Sequence, residues 1–121
     1  MSQAVNSKQY DLEERCYQFA KRVRDYVKQL PRSISNMEYG KQLIRSSGSV
    51  GANYIEANES LSKKDFIMRA KICKKETKES RYWLSLAEPL EKLSGEREVA
   101  VKEATELMKI FGAIIERSQG R

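Results

Sequence analysis

Apolar residues recur at three- and four-residue spacing in four segments of this chain, and no segment alternates apolar and polar positions as a half-buried strand would. The first, about 9–30, carries Leu12, Cys16, Phe19, Ala20, Val23, Val27 and Leu30 on one narrow stripe, opposite a solvated face of mixed charge. Pro31 ends it, since the ring lacks a backbone donor and disfavours helical geometry at the residue before it. The second helix, about 37–59, takes Asn36 as its cap, with Glu38 at the positive end of the dipole. Leu43, Ile44, Ser47, Val50, Tyr54, Ile55 and Leu61 form its expected core side. The third, 63–87, starts at Ser62 with Asp65 in capping-box position, and turns Phe66, Ala70, Cys73, Thr77, Ser80, Leu84 and Ala87 inward. Pro89 stops it, Ser94 and Gly95 mark the last turn, and the fourth helix runs over about 96–117. The pattern predicts an all-α protein, an antiparallel up-and-down four-helix bundle forming a single domain over residues 1–121.

Composition supports this picture. A charged fraction of 33% with only 2 prolines in 121 residues suits long amphipathic helices around one core. Gly48 and Gly51 fall inside the second helix, where each costs about 1 kcal/mol relative to alanine, so neighbouring helices are expected to approach closely there. Cys16 and Cys73 lie on inward faces and read as buried, reduced thiols. No apolar run is long enough to cross a membrane and the start lacks a secretion signal, so a cytoplasmic protein without membrane contact is expected.

Charge is concentrated in one place. From Lys63 to Arg81 the chain carries 8 Lys or Arg against 3 acids, a balance of +5 within a total of +6. Lys64, Lys71, Lys74, Lys75, Lys78 and Arg81 occupy the outer side of the third helix and could neutralise phosphates, without sequence preference. No aromatic is expected among these lysines, Ile67 and Tyr82 lying at their edge, so a base-stacking platform is not predicted.

A second candidate is polar. Ser46, Ser49, Asn53 and Glu56 follow one edge of the second helix, and Glu76 and Glu79 lie on the border of the third; Ser49, Asn53, Glu56, Glu76 and Glu79 are expected to form a hydrogen-bonded cluster between the two helices. A metal centre is not expected from these carboxylates, because bundle di-iron sites pair glutamate with histidine and the chain has 0 histidines. Nor is SSGSVGAN a phosphate loop, since it sits within a helix, follows no strand and lacks the lysine. The chain therefore reads as no enzyme, with no cofactor and no small-molecule substrate. The fourth helix spreads apolar residues over about half its circumference, more than one core contact requires. Met108, Phe111 and Ile115, with Ile72 and Trp83 on the third helix, are the expected oligomer interface.

The segment SGSVGANYIEAN, followed by SLSKKDFIMRAKICKKETKESRYWL, resembles the bacterial four-helix bundle proteins encoded in intervening sequences of large-subunit ribosomal RNA genes. Ser49, Asn53, Glu56, Asp65, Phe66, Glu76, Glu79, Tyr82, Trp83 and Leu84 carry the resemblance most specifically. It implies a homopentameric barrel and, through more distant likeness to accessory variability proteins of diversity-generating retroelements, association with RNA or a ribonucleoprotein without catalysis. The alternative is a structural oligomeric scaffold that binds no nucleic acid.

Overall fold

A computed structural model describes the backbone of residues 3–120 and the side chains of residues 11–120. Among the described residues four helices, α1 (Gln3–Lys28), α2 (Ile34–Asn58), α3 (Lys63–Leu86) and α4 (Ser94–Gly120), run up and down around one core, with a 3-10 turn, Glu91–Leu93, before α4. α2 and α3 share the most extensive seam, α3 and α4 the next, and α1 meets α4 least.

The boundaries differ from the sequence expectation where two capping residues compete. α1 starts earlier than about residue 9 and ends at Lys28, where the Gln29 and Leu30 amides donate to the Tyr26 and Val27 carbonyls. α2 is capped by Ser33, whose hydroxyl accepts from the Asn36 amide at 3.1 Å, so the helix begins three residues before the expected start. Asn36 is not the cap. It lies buried in the first turn, and its side chain spans to the loop beyond α3. Ser62 caps α3 as expected, accepting from the Asp65 amide at 3.1 Å. Ser94 and Gly95 are not a loop but the first residues of α4, because the 3-10 turn ahead of them already sets helical geometry.

The α2–α3 seam is close because its buried faces are small. Ser46, Ser47, Val50 and Ala57 oppose Ala70, Cys73, Thr77 and Ser80, and the hydroxyls of Ser46, Thr77 and Ser80 are hydrogen-bonded within the seam. Thr77 Oγ1 donates to the Cys73 carbonyl at 2.7 Å, Ser80 Oγ to the Glu76 carbonyl at 2.9 Å, and the Ser46 and Ser80 hydroxyls share a 2.8 Å bond across the helices. Gly51 serves the expected close approach, since a Cβ there would stand 3.3 Å from Cys16 Cβ of α1. Gly48 does not: a Cβ at that position would meet nothing within 4 Å.

Larger side chains fill the rest of the core. Phe19 and Val23 from α1, Leu43 and Tyr54 from α2, Leu84 from α3, and Leu107 and Phe111 from α4 are buried. Both cysteines are free and buried, and burial pushes their thiols up to about 12, so at neutral pH neither is a nucleophile. Ile44, Ile55 and Leu61, expected inside, are 46%, 51% and 99% exposed. The core stripe of α2 runs instead through Gly40, Leu43, Ser46, Ser47, Val50, Tyr54 and Ala57.

Candidate nucleic-acid interface

The outer side of α3 presents Lys64, Met68, Lys71, Lys75, Lys78 and Tyr82 on one stripe, the four- and three-residue spacing returning each to the same face. All six are exposed, Met68 at 49% and Tyr82 at 59%. Tyr82 therefore belongs to the lysine stripe itself, not to its edge as expected from the sequence. Lys74 is exposed beside α4, with its Nζ 3.6 Å from the position a Cβ on Gly112 would take. Arg81 is half-buried and donates to Thr105 Oγ1 at 3.2 Å, so it ties α3 to α4 more than it faces solvent.

None of Lys64, Lys71, Lys74, Lys75 and Lys78 has a carboxylate oxygen within 4 Å among the described residues. Two of the three acids of α3, Glu76 and Glu79, are engaged from the other direction. Arg45 of α2 reaches Glu79 at 2.9 Å and Glu76 at 3.4 Å, which draws both carboxylates to the α2 side and offsets part of their charge, away from the lysines on the outer side. Some cations of α1 are paired across to α4. Along the α1–α4 cleft, of about 860 Å³, Arg15 pairs with Glu103 through two bonds of 2.6 and 3.0 Å and Arg22 with Glu96 at 3.2 Å. The Glu103 hydrogen bond raises the Arg15 guanidinium further above its ordinary value.

The expected polar cluster is two clusters, each organised by an arginine that periodicity does not single out. In one, Asn53 Nδ2 donates to Ser49 Oγ and to the Ser49 carbonyl, both at 2.9 Å, while Asn53 Oδ1 accepts from Arg69 at 2.9 Å. In the other, Arg45 joins Glu76 and Glu79. Glu76 is buried, and its Oε1 lies within ion-pair range of Arg45 without hydrogen-bond alignment. Glu56 joins neither; its side chain is exposed, and only its carbonyl is used, by Ser60 Oγ and the Glu59 amide.

The apolar candidates separate in the same way. Phe111 is fully buried and meets Tyr54 edge-on at 5.8 Å between centroids, which takes it off the oligomer surface and into the core. Ile72, Met108 and Ile115 are half-buried. Much of the wide apolar arc of α4 is used internally, because Val101, Ile110 and Ile114 pack against the core beside the buried stripe. Trp83 is half-buried between α2 and α3, stacked on Tyr39 at 5.9 Å and meeting Tyr82 edge-on at 5.0 Å. A line of exposed apolar residues lies on α2, where Ile34, Met37, Ile44 and Ile55 are 89%, 48%, 46% and 51% exposed and pass the open Gly48.

No group of three or more His, Cys, Asp or Glu side chains is disposed to hold a metal among the described residues, and no helix there is long and apolar enough to cross a membrane. Among curated proteins, no sequence matches the chain. The fold is similar to the crystal structure of a Bacteroides thetaiotaomicron protein of unknown function from the S23 ribosomal protein family. The TM-score is 0.72 and the identity 29%, over 86% of this chain and 97% of that one. The 23S rRNA-intervening sequence protein profile matches residues 8–113, nearly the whole bundle including the lysine stripe, and the chain belongs to that family.

Proposed function

We propose that this protein is a non-catalytic cytoplasmic bundle that associates with RNA or a ribonucleoprotein, with the lysine face of α3 as its phosphate-binding surface. The observation that carries the reading is the row of five lysines without carboxylate partners among the described residues, while Glu76 and Glu79 of the same helix face Arg45. Cations in that state release condensed counterions from a polyanion on binding, which yields affinity that falls steeply with salt. Replacing Lys71, Lys74, Lys75 and Lys78 with Gln should weaken binding to single-stranded RNA at least about tenfold at low salt. The slope of log affinity against log salt should also fall by roughly 0.7 for each phosphate no longer neutralised. Fluorescence anisotropy at several salt concentrations reads both quantities. Unchanged affinity and slope would return the face to an ordinary solvated surface.

The same proposal includes a ring of identical chains, five being the number that the family resemblance implies. Its physical support is the exposed apolar line of α2, through Ile34, Met37, Ile44 and Ile55. Ile44→Lys with Ile55→Lys should leave helicity intact, since both side chains are about half exposed, while light scattering drops from the mass of the ring to the 14.0 kDa of one chain. An unchanged mass would remove α2 from the interface. A wild-type monomer would remove the ring. The scaffold reading keeps one specific observation in its favour, that same α2 line, and it prevails if the ring forms and the wild type binds no RNA.

A further inference from the structure

Tyr82 stands at the end of the lysine row in a setting that phosphate binding alone does not use. It follows Lys71, Lys75 and Lys78 on the outward stripe at eleven, seven and four residues, so its ring lies about 6 Å along the axis beyond Lys78. It is 59% exposed, more than any other tyrosine whose side chain is described, yet it is not loosely held. Its ring meets Trp83 edge-on, 5.0 Å between centroids at 70°, and Trp83 is itself stacked on Tyr39 of α2 at 5.9 Å and 30°. The three rings form a ladder from the α2–α3 groove to the surface, with Trp83 Nε1 buried and without a hydrogen-bond partner at its base. An aromatic ring steadied from beneath, open to water above and continuous with a row of unpaired cations is the arrangement on which an unpaired base stacks while its neighbouring phosphates meet lysines.

We propose that Tyr82 is a base-stacking position and that the ligand of this face is single-stranded RNA, or an unpaired loop, rather than a duplex. The proposal rests on the reading of the α3 lysines as a phosphate surface and adds the strand form to it. A duplex keeps its bases stacked inside and offers this face phosphates only; a single strand can turn a base out onto the ring. Stacking releases no counterions, so its signature differs from that of the lysines.

The test compares wild type, Tyr82→Ala, Tyr82→Phe and the quadruple lysine variant on a single-stranded RNA and on a duplex of equal length, each across a salt series. Tyr82→Ala should weaken single-strand binding about tenfold with the salt slope unchanged and leave duplex binding as it was. Tyr82→Phe, which keeps the ring, should bind as wild type. Trp83, the single tryptophan of the chain, gives a readout independent of affinity: saturation with the single strand should alter its fluorescence in wild type and not in Tyr82→Ala. If Tyr82→Ala binds the single strand as wild type does while the lysine variant is weakened, the stacking position is overturned and the phosphate surface stands. Equal losses on single strand and duplex would likewise overturn it. If the lysine variant also binds normally, both readings fall together.

Discussion

Phe111→Ala is expected to lower the unfolding free energy by about 3–5 kcal/mol, a large share of the roughly 5–15 kcal/mol that holds a domain of this size together. Phe111 is 0% exposed, meets Tyr54 edge-on and shares its helix face with Ala100, Ala104 and Leu107, also at 0%. The alanines on that face cannot swing into the space a phenyl ring vacates, so much of the cavity should persist, which places the loss toward the upper part of the range. Urea denaturation followed by circular dichroism measures it. Met108→Ala provides the contrast, because that neighbouring side chain is half-buried and should cost less. A loss below about 1 kcal/mol at Phe111 would mean that the ring is not a core member, and would restore it to the oligomer surface expected from the sequence.

The legible part of the molecule is what depends on residues three and four apart. The inward stripe of α3, from Ala70 through Cys73, Thr77 and Ser80 to Leu84, is buried as its spacing predicts, and the Ser62 cap follows from local chemistry. α2 misleads because it carries two apolar lines side by side, one through Leu43, Val50 and Tyr54 and another through Ile44 and Ile55. Hydrophobicity does not say which line meets the bundle. The glycines mislead in the same way, since a small residue fits both a close crossing, as at Gly51, and an open face, as at Gly48.

At the candidate site the lysines are visible in the sequence as residue types, while their isolation from acids is not. That isolation depends on Arg45 reaching across 34 residues to Glu79, and the division of the polar edge depends on Arg69 reaching Asn53. Long flexible cations choose among several carboxylates and amides within reach, and the choice is set by the tertiary distance between helices. Tyr82 is legible from its spacing, which matches Lys71, Lys75 and Lys78. Its neighbour Trp83 draws it toward the border when the two are read together, although adjacent helical residues point about 100° apart.

Asn36→Ala is expected to cost about 2–3 kcal/mol, and the size of the loss distinguishes its real role from that of a helix cap. A cap removed by alanine typically costs about 1 kcal/mol, which is the loss to expect from Ser33→Ala. Asn36 does more. It is 5% exposed, and its amide nitrogen donates to the Pro31 carbonyl at 3.0 Å and to the Glu88 carbonyl at 2.9 Å, while its Oδ1 accepts from the Glu88 amide at 2.9 Å. Both donors and one acceptor of a single side chain thus clamp the α1–α2 and α3–α4 connections together at one end of the bundle. The two connections carry Pro31 and Pro89, which supply no amide of their own, so alanine leaves three backbone groups short of partners inside a partly closed site. Thermal denaturation should show a fall of roughly 10 °C. Asn36→Asp should not rescue it, because the carboxylate keeps an acceptor, loses both donors and turns an acceptor toward two carbonyl oxygens. A loss no larger than that of Ser33→Ala would mean that water replaces the side chain and that the two connections hold their places without it.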